Sequence, residues 1–241
     1  MRYKPNDGKT EVTPSWTKHI MGTHPIVLIS TIGRVRRKLI PGLAPFATCL
    51  DTSYDPPYVT FAAAKRQHSV EGRSSKKGYM NTVLNIRQNG LFVVNIPHWI
   101  HFEVAFLLNT LACPHNRSEY KDKFDMVYLT KVEPFKLSRH PVYPPLVGEC
   151  VAHLECEAID MHLPKGSDHY LITGRVVAAS CAKDFVEGDN EDQILESLEL
   201  RLAQEAWHHF GLKPGTNLRY FTRNQDIFTL SSMRFDMERP K

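Results

Sequence analysis

Apolar and β-branched residues run from Pro25 to Ile32, break at Gly33 and resume at Leu39, a pattern that predicts two antiparallel strands. The second of these is expected to continue over residues 38–49, and further strands near residues 57–64, 91–96, 149–162, 169–181 and 226–233. Asn81 to Asn89 reads as a short helix closed by Gly90, and Trp99 to Ala112 as a second, more apolar one. From Glu191 to Phe210, Ile194, Leu195, Leu198, Leu202, Ala206 and Trp207 recur at helical spacing with charged residues between them; Gly211 ends the pattern and Pro214-Gly215 turns the chain. That helix either covers the sheet or forms part of a dimer contact. Residues 1–20 are polar, with Pro5, Asp7-Gly8 and Pro14, and read as an arm whose later part docks through Trp16 and Ile20. Residues 21–241 then form one domain, mainly β, or α+β by helix content.

Composition narrows the class. With 241 residues and 42% hydrophobic positions the chain has material for one core. Its longest apolar runs, such as Val104 to Leu108, fall far short of a bilayer span, and its first residues show no charged-then-apolar signal, so a soluble cytoplasmic protein with no membrane partner is expected. The formal charge of +4 is concentrated at Arg34, Arg36, Arg37 and Lys38 and again at Lys65, Arg66, Arg73, Lys76 and Lys77. Neither cluster is interleaved with aromatics that stack on bases, which favours a solvated surface or a phosphate-facing loop over nucleic-acid binding.

Five cysteines, Cys49, Cys113, Cys150, Cys156 and Cys181, show no paired spacing. Cys150, Ala152, Leu154, Cys156 and Ala158 alternate with Glu149, His153, Glu155 and Glu157, which places both thiols on the buried face of one strand and the acids on the other. Six residues apart, the thiols are roughly 20 Å from each other, too far for a disulfide or a shared metal, and reduced core cysteines are expected. His208-His209 diverge on a helix, Cys113-Pro114-His115 lacks companion ligands, and HExxH, GxGxxG, P-loop and GxSxG patterns are absent from the sequence, so no metal is expected.

Candidate chemistry gathers in two places. The small residues of Ala44-Pro45-Phe46-Ala47-Thr48 follow the hairpin where a loop leaves the sheet, and let a ligand approach the backbone of Gly42, Leu43 and their neighbours. Asn81 is placed to cap the helix from Thr82, whose hydroxyl and adjacent N–H groups favour an anion, with Lys76 and Lys77 just before it. The segment Ala62 to Tyr79, which begins Ala62, Ala63, Ala64, Lys65, is longer and more basic than a turn requires.

Several pieces, in order over roughly residues 20–182, carry a resemblance. They are Pro25-Ile26 with Ser30-Thr31, Ala44-Pro45-Phe46, Asp55-Pro56-Pro57, Thr82-Val83-Leu84-Asn85-Ile86 and Phe92-Val93-Val94-Asn95. Ser118 through Phe124, Leu154-Glu155-Cys156 and Asp168 through Val176 follow. Together they resemble the flavin reductase-like family of FMN-binding split barrels, which includes flavoredoxins and flavin:NAD(P)H reductases. The resemblance implies a split β-barrel with peripheral helices, FMN as cofactor, NADH or NADPH as hydride donor and a homodimer. Electrons then pass to free flavin, a metal ion or a redox protein partner; the alternative is a flavoredoxin-like carrier or flavin-binding module without nicotinamide activity. It also implies that the FMN phosphate lies near Thr82 and Asn85, with Lys65, Lys76 and Lys77 as contacts if the basic loop folds over it, or with the loop reaching the phosphates of the donor. His169 matches a family position near the flavin or the nicotinamide. The chain departs from the family at Gly42 and Ala47, where Asn and Ser are common, and at Met80-Asn81-Thr82, where Lys-Asp-Thr is common. Thr48 is placed to supply the missing hydroxyl.

Overall fold

The computed structural model describes residues 26–35, 37–65, 81–97 and 122–183, with Val104, Leu107, Leu108, Gly188, Asn190 and Gln193 besides. The N-terminal arm, the basic loop beyond Lys65 with Lys76 and Lys77, most of the 99–112 and 191–210 helices, and the 226–233 strand lie outside the described residues. At Asn190 the side-chain Oδ1 accepts from the Gln193 N–H at 3.0 Å, the bond an N-cap makes, where the 191–210 pattern starts.

The hairpin is present as β1 (Val27–Val35) and β2 (Lys38–Phe46), paired antiparallel from Val27↔Phe46 to Val35↔Lys38. β3 (Leu50–Tyr54) and β4 (Pro57–Ala64) follow. The expected strand over 38–49 thus ends at Phe46, because the chain turns a corner at Ala47, Thr48 and Cys49, and β3 is a strand that the sequence pattern did not mark. Helix α1 (Asn81–Asn89) has Asn81 as its first residue rather than its cap, beginning one residue before Thr82, and ends on Gly90 at φ +70. β5 (Leu91–Pro97), α2 (Lys123–Met126), the two-residue strands β6 (Lys131–Val132) and β7 (Leu146–Val147), β8 (Cys150–His162) and β9 (His169–Cys181) complete the described chain. The helix, β5 and β9 fall where the sequence pattern puts them.

Seven strands make one antiparallel sheet in the order β2-β1-β5-β8-β9-β4-β3. The sheet curls until Phe46, on the β2 end, meets Phe61 on β4: their rings lie 4.9 Å apart at 63°, and Phe61 meets Phe92 at 5.4 Å and 67°. Edge-to-face rings of this kind add about 0.5–1.5 kcal/mol beyond the area they bury. Val27, Ile29, Val59, Val94, Cys156 and Ile172 fill the same interior, and Val83 and Ile86 of α1 pack into it with Ala63 and Tyr170. Gly174 is required by this packing, since a Cβ there would lie 2.6 Å from Cε1 of Phe92. This is a mainly β split barrel with peripheral helices.

A second cluster lies on the opposite face of β1–β2, where Ile26, Leu28 and Leu43 pack with Leu108, Phe124, Val127, Val147 and Cys150. A strap over residues 130–147 covers that outer face, and buried polar side chains of the sheet hold it. Ser30 Oγ donates to Pro145 O at 2.6 Å, and Asn95 Oδ1 accepts from Val147 N at 2.9 Å. Glu155 accepts from the N–H groups of Phe135, Lys136 and Leu137 at 2.6, 2.7 and 2.8 Å.

Two expectations for β8 are corrected here. Cys150 and Cys156 are both buried, but in different clusters, because β5 pairs Ile96 with Ala152 and the next residue, Pro97, with Cys150, leaving Val151 as an extra residue that reverses the facing. Glu155, expected on a solvent face, is 1% exposed because the strap covers it. Among the described residues no helix is long and apolar enough to cross a membrane.

Candidate functional site

The corner between β2 and β3 decides what is left open on β4. β3 pairs with β4 only as far as Leu50↔Thr60. Beyond that point the Thr48 hydroxyl takes over, accepting from Ala62 N and donating to Ala62 O, both at 3.1 Å. On its other side β4 pairs with β9, setting Ala62 against Leu171, Ala63 against Tyr170 and Ala64 against His169. In an antiparallel strand both main-chain groups of a residue point the same way and alternate along the chain. Thr60 and Ala62 face away from β9, so Ala64 does too, while Lys65 N faces β9 and donates to Asp168 O at 2.6 Å. Ala64 therefore presents an N–H and a C=O at an edge where no other described residue bonds to them.

His169 lies across from that edge, at the start of β9. The turn before it is fixed: Ser167 N donates to Pro164 O at 2.9 Å, and Ser167 Oγ accepts from His169 N and donates to His169 O, both at 3.0 Å. The His169 side chain is 43% exposed, and its Nδ1 lies 2.6 Å from Oδ1 of Asp168. Next along β9, Tyr170 is buried, with the Arg87 guanidinium of α1 4.7 Å from its ring centroid. α1 is thereby tied to the barrel at the residues neighbouring His169 and Ala64. At the N-terminus of α1, Thr82 is 5% exposed and its hydroxyl makes no hydrogen bond to another described residue.

The structure thus brings together Ala62, Ala63, Ala64, Lys65, His169 and Thr48 at one rim, and joins α1, with Asn81 and Thr82, to it through Val83, Ile86 and Arg87. The remaining site residues expected from sequence are placed differently. Ala44 and Phe46 point into the barrel, Leu43 and Ala47 belong to the outer cluster, and Pro45 is buried, so this stretch offers a ligand backbone rather than side chains. Asn85 Nδ2 donates to Thr31 Oγ1 at 2.9 Å, and a Cβ at Gly42 would meet that same Nδ2 at 2.9 Å and Thr31 Oγ1 at 2.8 Å. Gly42 lacks a side chain because Asn85 occupies the space, and both serve the helix–hairpin contact. Thr48 spends its hydroxyl on Ala62. Sequence reasoning missed the open Ala64 edge and the Asp168 carboxylate; the adjacency of Asp168 and His169 was the available signal for the second.

The thiol nearest this rim is not poised for chemistry. Cys49 has its pKa pushed up to about 12 by burial and then by Asp51, and Cys156, in the same core, is also raised well above the ordinary thiol range by burial, Cys49 and Glu155. Both remain protonated and unreactive near neutral pH. Among the described residues no cluster of His, Cys, Asp and Glu could hold a metal ion.

Residues 21–193 match the family model described as the flavin reductase like domain, so the chain belongs to the flavin reductase-like family. Similar solved structures include nitrilotriacetate monooxygenase component B from Bacillus cereus, at 18% identity over 82% of this chain and 88% of that one, with a TM-score of 0.56. Flavoredoxin from Methanosarcina acetivorans shares 16% identity over 77% and 83%, with a TM-score of 0.54. The NADH:FAD oxidoreductase SgcE6 of Streptomyces globisporus C-1027 shares 18% over 73% and 89%, with a TM-score of 0.51. At these identities the likeness establishes the fold.

Proposed function

We propose that this protein binds FMN noncovalently at the Ala62–Lys65 rim and acts as an NAD(P)H-dependent flavin reductase. Its electrons go on to free flavin, a metal ion or a protein partner. The observation that carries the reading is the backbone edge at Ala64, to which no other described residue bonds, in a chain of this family, with a half-exposed histidine on the paired strand; the Thr82 hydroxyl, bonded to no other described residue, adds a second polar group on the helix tied to the same barrel. These residues fit a flavin. The N–H and C=O of Ala64 match the alternating acceptors and donor on the pyrimidine edge of an isoalloxazine, and the alanine methyls leave room for a flat ring. Thr82 and the first N–H groups of α1 suit a phosphate, and Lys65 adds positive charge nearby. FMN held there by Ala64, Thr82 and Lys65 would supply the redox chemistry, hydride acceptance from a nicotinamide and onward electron release. The chain's own work is to bind, orient and limit water: Thr48 holds the barrel seam closed behind the ring, and His169 positions the donor. No side chain acts as a nucleophile. A homodimer in the cytoplasm belongs to the same reading.

The test is the absorption spectrum of the purified protein, followed by FMN titration and anaerobic mixing with NADH and NADPH. A yellow protein, or uptake of FMN in preference to FAD, and loss of the oxidised flavin band on adding either donor are expected. No binding at tens of micromolar, on the order of 6 kcal/mol, overturns the flavin reading. Flavin uptake with no reduction by either donor leaves an electron carrier reduced only by a protein.

A further inference from the structure

We infer that Asp168 is a positioning residue for His169: its carboxylate fixes which ring nitrogen carries the proton and which faces the ligand. The inference rests on the functional reading above. A carboxylate only accepts hydrogen bonds, so the 2.6 Å contact between Asp168 Oδ1 and His169 Nδ1 places the proton on Nδ1. The other nitrogen, Nε2, is then an acceptor in the neutral ring and the group left for a ligand, since the bond made by one nitrogen sets the role of the other. The backbone around the pair is built to keep this arrangement. Lys65 N bonds Asp168 O at 2.6 Å, the Ser167 hydroxyl closes on both main-chain groups of His169, and His169 stands opposite Ala64 in the ladder. Asp168 and the open edge of β4 are thereby parts of one rigid unit, and the imidazole rotates only about its own side-chain bonds. The Asp168 side chain is itself 83% exposed, so its contribution to folding is small and its effect falls on ring orientation.

Substitution separates these roles. In Asp168→Asn the carboxamide can donate to Nδ1, moving the proton to Nε2 and turning an acceptor into a donor. In stopped-flow reduction at saturating FMN, Asp168→Asn is expected to lower kcat/KM for the nicotinamide donor about three- to tenfold, a positioning effect transmitted by one exposed hydrogen bond. FMN affinity and the melting temperature stay at parental values, and Asp168→Glu restores part of the loss. In a His169→Ala background Asp168→Asn has no further effect. The ring nitrogen shifts of His169 by NMR give a readout that needs no flavin: Nδ1–H in the parent protein, Nε2–H in Asp168→Asn. An Nε2–H tautomer in the parent, unchanged kinetics in Asp168→Asn, or an equal loss with and without His169 each overturns the inference. A parent protein that takes up no flavin instead overturns the functional reading beneath it, and is recognised before any variant is made.

Discussion

Glu155 is the side chain whose loss is expected to cost most for reasons a sequence pattern hides. It is 1% exposed, and its two oxygens receive three backbone N–H groups, from Phe135, Lys136 and Leu137. Truncation to Ala removes all three bonds and opens a space beneath the strap. The N–H of Leu137, a fully buried residue, is left without a partner, at about 1–3 kcal/mol, while those of the exposed Phe135 and Lys136 can turn to water and lose about 0.5–1 kcal/mol each. Glu155→Ala should therefore destabilise by about 2–5 kcal/mol, a sizeable part of the 5–15 kcal/mol typical of a domain. Glu155→Gln keeps one carbonyl oxygen for the Lys136 and Leu137 pair but turns an amide N–H toward Phe135 N–H, for a loss of about 1.5–3 kcal/mol. Urea unfolding measures both as shifts of the midpoint at unchanged slope, and hydrogen exchange at residues 135–137 should accelerate before global unfolding. FMN affinity should hold in Glu155→Gln, because Glu155 faces the strap and Ala64 lies on a different strand edge. A loss below about 1 kcal/mol in Glu155→Ala would refute the clamp.

Burial pushes the pKa of His153 down to about 4, with Glu155 pulling the other way, and its Nδ1 lies 3.1 Å from Asn95 Oδ1. The unfolded chain binds a proton near pH 6.5 that the folded chain refuses until about pH 4, so this stability is present in full above pH 6.5 and lost as pH falls through 4. Urea melts should lose about 2 kcal/mol from this ring between pH 7 and 4, allowing for partial solvent access, and His153→Gln should flatten that slope; a variant with the parental slope removes the assignment. Gly174→Ala should destabilise by about 1–3 kcal/mol, because the new methyl meets Phe92 and the Cβ of Cys156, and thermal melts would show it; a neutral result means that the Phe92 ring yields. Thr82→Ala should weaken FMN binding about tenfold to a hundredfold, the value of a hydrogen bond to a charged phosphate, while the melt stays near the parent's. Unchanged affinity moves the phosphate elsewhere.

What was legible in the sequence was whatever repeats along a single element. The helix Asn81–Asn89 followed from Asn81 at its start and Gly90 at its end, and β4 and β9 from strand residues bounded by Pro57 and by the turn at Gly166. What failed was set by partners far away in the chain. The small residues from Ala44 to Thr48 signal that the chain leaves the sheet but not at which residue; the place, after Phe46, is set by the Thr48 hydroxyl closing on Ala62, fourteen residues on. The strap over 130–147 has strands of two residues each and no periodicity, and its anchor to Ser30 spans 115 residues. An alternating strand such as β8 reads as half-solvated unless something covers its polar face, and a covering segment held by side chain to backbone bonds leaves no pattern of its own.

The site shows the same division in a sharper form. Its side chains were visible because small residues, a threonine at a helix start and a histidine after a turn are residue types with known uses. Its main-chain groups were not. Ala64 offers an N–H and a C=O because β3 stops pairing at Thr60 and because Thr48 takes Ala62 and goes no further, and neither fact is written in the identity of Ala64. The same logic explains why Gly42 and Ala47 need not count against flavin binding: on β2 the side chains at 43–46 are committed to two cores, so a ligand there meets backbone whichever small residues flank it. Contacts made through main-chain groups survive a change of side chain at the site, provided the strand ends stay where they are. The residues to be held constant are then those that fix the strand ends, Thr48 and Ser167, neither of which needs to touch the ligand.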